Sequence, residues 1–242
     1  MVVCLSELGR FADAVAQSDE ALQVAEAGAR TDDRLAVYTG VGYLHVRQGT
    51  LHQAIPLLER AVALSQDANI PVFYYTSAQF LALAYALAGR GTDALAVLGQ
   101  VGENTGMPLL SLTCGEVYLR AGCVEEAHRL AQRGLAHVRH HKMRGSEARA
   151  LWLLGEIARR HDPLDMAQAE ALYQQSLALA EELGRRPLQV HRHLGLGALY
   201  TKTGQQEQAR VDLSTAIDLY RAMAMQFWLP QAEVALAQVE GQ

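Results

Sequence analysis

The chain has 242 residues, half of them hydrophobic but only 6% aromatic, with six prolines and a formal net charge of -5. A core drawn mainly from Ala, Leu and Val favours helix over sheet, the acidic balance argues against a nucleic-acid partner, and no apolar run approaches the ~20 residues of a membrane helix. MVVCLSELGR lacks a basic segment leading into a long apolar stretch, so no secretory signal is read, and Cys4, Cys114 and Cys123, without a CxxC, are expected as reduced thiols packed as small hydrophobes in a cytoplasmic protein.

In chain order the predicted elements repeat one grammar: a small residue, an aromatic three positions on, a glycine four beyond that, and an alanine five beyond the glycine. The first unit (near 1–30) carries Val2, Leu5, Gly9 and Ala14, and the second (33–68) carries Gly42, His45, Gly49 and Ala54. Ala82, Tyr85, Gly89 and Ala94 mark the third (71–104), and Gly115, Tyr118, Gly122 and Ala127 the fourth (107–142). In the fifth (145–184), Gly155 and Ala158 lead into the turn HDPLDM, two residues longer, where Asp162 replaces the glycine before Ala169. The sixth (187–224) has Gly197, Tyr200, Gly204 and Ala209, and a capping helix is predicted over 228–240. The alanines are 40, 40, 33, 42 and 40 residues apart, so each unit is one helix–turn–helix.

The spacing has a physical reading. In LGLGALYTKTG, Leu194, Gly197, Ala198 and Thr201 follow helical periodicity, and Gly204 stands where a helix ends in a left-handed residue. Ala209, Leu213, Ala216, Ile217 and Tyr220 form one stripe of the second helix. Gly197 and Ala209 allow the two helices to approach closely, and Tyr200 is expected to fill the wider gap above them. Pro71, Pro108 and Pro187 fall near the starts of first helices, where a missing N–H costs little.

These units resemble tetratricopeptide repeats, with ~40 residues in place of the 34 of the standard repeat. The C-terminal half, in ARALWLLGEIARRHDPLDMAQAEALYQQSLALA and HRHLGLGALYTKTGQQEQARVDLSTAIDLYRAM, resembles the repeat region of bacterial signalling proteins that join a nucleotide-cyclase domain and an ATPase domain to such repeats. The resemblance implies an all-α fold: an α-solenoid, a right-handed superhelix of about six units. It also implies a regulatory or scaffolding role beside an enzymatic domain of the same system.

The two ends differ. Leu229, Ala232, Leu236 and Val239 are expected to point inward from the last helix, with Gln231 and Gln238 opposite, as a solenoid cap requires. By register the first helix of unit one begins some six residues before Met1, so Val2, Val3, Leu5 and Leu8 are expected to form an incomplete, uncapped edge. That edge suggests a longer protein, or docking onto a partner or a second copy.

Catalytic signatures are missing: no GxxxxGK[ST], HExxH, GxSxG or paired CxxC occurs, and no cofactor, metal or enzymatic activity is expected. His191 and His193 are two apart and do not share a helix face. His137, His140 and His141 are better spaced but are read as complementing a helix C-terminus. In the repeats that this chain resembles, the first helices line the concave face where partners lie. Its expected exposed positions here are Tyr43, Arg47, Gln79, Leu83, Glu116, Arg120, Arg149, Trp152, Glu156, Arg159 and Lys202. Arginines pair with carboxylates and a tryptophan is a typical anchor, so a protein or peptide ligand is expected there. The lysine-and-asparagine pattern of chaperone-tail receptors is replaced by Thr39 and Tyr43, Gln79 and Leu83, Leu112 and Glu116. A small-molecule effector pocket and a dimerisation segment are the alternative functions.

Overall fold

In a computed structural model, described over residues 1–101, 110–160 and 165–241, thirteen helices form an all-α solenoid. Six antiparallel pairs follow one another: α1 (Val2–Glu7) with α2 (Phe11–Glu26), α3 (Thr31–Gln48) with α4 (Leu51–Asp67), and α5 (Pro71–Leu87) with α6 (Gly91–Val101). Then come α7 (Ser111–Arg120) with α8 (Val124–His140), α9 (Arg144–Ala158) with α10 (Met166–Glu182), α11 (Arg186–Lys202) with α12 (Gln206–Ala222), and the single α13 (Leu229–Glu240). Asp162 and Pro108 lie outside the described residues.

Small residues set the distance within each pair. A methyl group at Gly197 would stand 2.5 Å from Leu213 Cγ, and one at Gly42 would stand 2.6 Å from Leu58 Cγ. Either substitution forces the pair apart, because a close-packed interior has no slack to absorb it. Ala14, Ala54, Ala94, Ala127, Ala169 and Ala209 are all fully buried. The aromatic position does more than fill space. Tyr85 Oη donates to Glu59 at 2.6 Å and Tyr200 Oη donates to Glu170 at 2.7 Å, each reaching the second helix of the preceding unit.

First helices stack on first helices: α1 on α3, α3 on α5, α5 on α7, α7 on α9, and α9 on α11. The row then returns to its start, because α1 also touches α11. Leu5, Phe11 and Ala14 share one buried cluster with Ile217, Tyr220, Met223, Met225 and Trp228. A methyl group at Gly9 would meet Met223 Sδ at 2.6 Å and Pro187 Cδ at 3.2 Å. The expected open N-terminal edge is therefore corrected: the chain's own last unit covers Leu5 and Phe11, while Val3 and Leu8 stay partly exposed.

At the other end, α13 buries Ala232 and Val239, sets Leu236 against the core and leaves Gln231 and Gln238 outside. The cysteines also differ from expectation. All three are free thiols, but Cys4 and Cys123 are exposed rather than packed. Both sit on short turns or the short α1, where no neighbouring helix covers them.

Candidate functional site on the inner face

Closing the row of first helices turns the concave face into an interior. Glu7, at the end of α1, is its meeting point: its carboxylate pairs with Arg47 of α3 at 3.6 Å, with Arg185 at the start of α11, and accepts from the Tyr43 hydroxyl. The Tyr43 ring lies 4.6 Å from that of Phe80 on α5. A second carboxylate, Glu116 on α7, pairs with Arg120 at 3.3 Å and with Arg149 on α9 at 3.1 Å. A third, Glu156, accepts from Arg159 at 2.9 Å and from Tyr173 Oη at 2.6 Å, and lies 3.6 Å from Arg160. Lys202, exposed at the end of α11, points its ammonium at the Arg159 carbonyl, 3.5 Å away.

The electrostatics follow from that pairing. Burial pushes the Glu116 carboxyl upward, but Arg120, Arg149 and Arg47 outweigh it and hold the group below the ordinary carboxylate value. Glu156 behaves alike: burial raises it, and Arg159, the Tyr173 hydroxyl and Arg160 bring it below that value. His191 goes the other way. Burial first, then the charges of Arg47 and Arg120, push it well below 6.5, so its imidazole is neutral at pH 7. It shares a 3.0 Å hydrogen bond with Tyr220 and sits among the rings of Trp152, Tyr220 and Trp228.

The structure thus brings Tyr43, Arg47, Glu116, Arg120, Arg149, Trp152, Glu156 and Arg159 onto one inner surface, with Lys202 at its rim. Arg120 and Lys202 are exposed, but the expected exposure of most of the others is corrected. Trp152 is only 7% exposed, Glu116 5% and Tyr43 8%, and Gln79 and Leu83 are buried outright. The physical reason is the return of α11 and Trp228 onto α1 and α3, which shields the face that an open superhelix would present.

Sequence reading missed Glu7, Phe80, Arg185 and His191. His191 had a usable signal: it stands six residues before the small residue of its unit, as Arg149 does in the unit before. Glu7 and Arg185 had none, because their roles arise from contact between the two ends. The histidines at 137, 140 and 141 gather at the end of α8, with rings 4.4 and 4.8 Å apart. Among the described residues, no three His, Cys, Asp or Glu side chains are grouped to hold a metal.

One cleft of about 270 Å³ opens on this interior, lined by residues of five first helices and by Arg185: Val3 and Glu7 of α1, Tyr43 of α3, Phe80 of α5, Leu112 and Thr113 of α7, and Ser146 and Arg149 of α9.

Comparison with known proteins supports the fold. The tetratricopeptide repeat family matches residues 1–67. No curated protein sequence matches the chain. Among solved structures, a chain of the APC/C hetero-tetramer Cut9–Hcn1 is similar over 98% of this chain and 44% of its own, with a TM-score of 0.65 and 16% identity. BtubC from P. vanneervenii is similar over 90% of this chain and 92% of its own (TM-score 0.51, 18% identity), and the apo form of RapI over 99% and 69% (TM-score 0.51, 14% identity). At such identities the likeness is one of fold. The chain spans less than half the length of the Cut9–Hcn1 chain it matches.

Proposed function

We propose that this chain is a non-enzymatic interaction module that recognises protein or peptide through its inner face and positions or regulates an enzymatic domain of a cytoplasmic signalling system. The observation that carries this reading is the convergence of five arginines, three glutamates, Trp152 and Tyr43 on a single surface built by every first helix. Arginine and aromatic side chains are the usual anchors of interfaces. The tetratricopeptide match and the likeness to a subunit of a hetero-tetramer support it. The resemblance of the C-terminal half to repeat regions of cyclase and ATPase signalling proteins supports the regulatory part.

Trp152 and Arg159 are unsuitable probes of this surface, because truncating a buried tryptophan costs about 3–5 kcal/mol of stability by itself. A photocrosslinking side chain at exposed Lys202 or Arg120 reads the inner rim, and one at Arg133 or Arg210 reads the outside. In source-cell lysate the reading expects the same partner captured from both rim positions and from neither outer one. Capture only from Arg133 or Arg210 places recognition on the second helices and ends the inner-face reading.

The cleft favours a second reading, in which the interior holds a small effector and a partner responds to it. A volume near 270 Å³ suits a small molecule better than a helix.

A further inference from the structure

Four guanidiniums of the inner face, two of which (Arg149 and Arg185) line the cleft, share two carboxylates. Glu7 serves Arg47 and Arg185, and Glu116 serves Arg120 and Arg149. No other carboxylate among the described residues pairs with these four. This surplus of positive charge stands in the interior of a chain whose formal charge is -5, so it is a local arrangement rather than a reflection of composition. Charges withdrawn from water need partners, and Arg47, Arg149 and Arg185, part-buried and each sharing its carboxylate with a second guanidinium, are under-compensated. Neighbouring His191 is held well below its ordinary value by burial first and then by Arg47 and Arg120, two of these same charges.

The rest of the wall is apolar or hydroxylic. Phe80, Leu110 and Leu112 line the cleft, as do Thr113 and Ser146, whose hydroxyls bond to no described residue. Directly before Phe80 on α5, Gln79 is fully buried with both amide atoms unpartnered, and the buried Trp152 Nε1 is unpartnered too. Buried amides and indoles are almost always paired, but neither of these residues lines the cleft, so the ligand's seat is defined by the residues that do.

We propose that this cleft binds a small organic carboxylate, with its anionic head on Arg149 and Arg185 and its apolar part on Phe80 and Leu110. Each link has a chemical reason. The planar guanidinium matches a carboxylate bidentately. A cation meets repulsion, and a neutral ligand leaves the surplus uncompensated. A bare inorganic anion gains nothing from the apolar wall. At about 30 Å³ per water-sized unit the cleft holds roughly nine such units, the size of a small metabolite or of one terminal residue of a peptide. The carboxylate can thus come from a free metabolite or from a peptide C-terminus. The proposal rests on the inner-face reading of function.

The test uses phenylacetate as probe, with 2-phenylethanol as neutral isostere, sulfate as bare anion, and acetyl-Gly-Phe with a free or amidated C-terminus. Calorimetric titration of the full chain is expected to show saturable phenylacetate binding at least tenfold tighter than either 2-phenylethanol or sulfate. Arg149→Gln should weaken it at least tenfold and Arg149→Lys should restore part of the loss. Glu116 keeps Arg120 in these variants, and circular dichroism checks the fold. Thr113→Val, nearly isosteric, gives a second readout: a several-fold loss without loss of charge. Tighter binding of phenylacetate than of the free peptide assigns a metabolite, and the reverse assigns a peptide terminus. Binding that does not saturate, that sulfate or 2-phenylethanol equals, or that Arg149→Gln and Thr113→Val leave unchanged overturns the proposal. Rim crosslinking at Lys202 that survives such a result leaves the inner-face reading standing alone.

Discussion

Glu7 in the first unit and Arg185 at the start of the sixth form an ion pair, so the two ends of the solenoid meet through a carboxylate that Arg47 and Tyr43 also hold. Both side chains are largely buried, at 18% and 17% exposure. The contact differs in kind from surface pairs such as Arg10–Asp13, whose partners are more than half exposed. Removing one member of a buried pair strands the others, which costs a few kcal/mol, whereas an exposed pair contributes under about 1 kcal/mol.

Glu7→Gln is therefore expected to lower unfolding stability by about 2–4 kcal/mol, and Arg10→Ala by less than about 0.5 kcal/mol. Guanidinium denaturation of the two variants measures the difference. Equal effects would mean that the ends do not depend on Glu7.

Gly49 and Gly204 make a matched test of the same closure. Both end a first helix with positive φ, +87° and +75°. A methyl group at Gly204 meets nothing within 4 Å, whereas one at Gly49 reaches Trp228 at 2.8 Å and the Phe227 side chain closer still. Gly204→Ala is expected to cost about 1–2 kcal/mol for the left-handed backbone alone. Gly49→Ala should cost clearly more, about 3 kcal/mol or above, since overpacking adds to it. Thermal melting of the pair decides.

The pH dependence has a definite sign. His191 is held below its ordinary 6.5 by burial and then by Arg47 and Arg120, so the unfolded chain binds this proton first as pH falls. Its contribution to stability is complete above 6.5 and is lost as pH drops from there towards the folded value, at up to about 1.4 kcal/mol per pH unit. His45, lowered by burial and then by His52, adds in the same direction. Glu116 and Glu156, held below 4.5, lose their contributions only in a second window beneath that value. Stability should thus be flat from pH 8 to 7, fall below 6.5 and steepen below 4.5. His191→Gln should flatten the upper window by about one proton and leave the lower one unchanged. Denaturant titrations at stepped pH measure both.

Gln79→Leu should leave the protein as stable or raise its stability by about 1–3 kcal/mol, because an unpaired buried amide is replaced by an apolar group of similar volume. Differential scanning calorimetry checks this. A marked loss would reveal that the amide has partners in solution.

Much of the fold was legible from local spacing. Gly42 against Leu58 and Gly197 against Leu213 are contacts within one unit, and the short offsets that announce them are local too. The inner-face positions were legible as a row for the same reason, since register carries from Glu116 to Glu156 and from Leu112 to Trp152. Exposure was not. Whether Trp152 meets water depends on the accumulated rotation of all six units, and only that curvature brings Trp228 to Gly49 and Arg185 to Glu7. Tyr200 illustrates the boundary: its gap-filling place follows from spacing, but its bond to Glu170 follows from how successive units lean on each other.

The central claim is that the first and last units meet and enclose the inner face. Leu8 and Arg186 flank that junction on its exposed side, and Gly9 lies 3.3 Å, measured from a methyl group built on it, from Arg186 Cβ. With Cys4, Cys114 and Cys123 changed to serine, Leu8→Cys and Arg186→Cys joined by a short bis-maleimide measure closure directly. The account predicts rapid crosslinking within one chain at high dilution, slowed when Glu7→Gln is added. Crosslinks only between chains, or none, would contradict it.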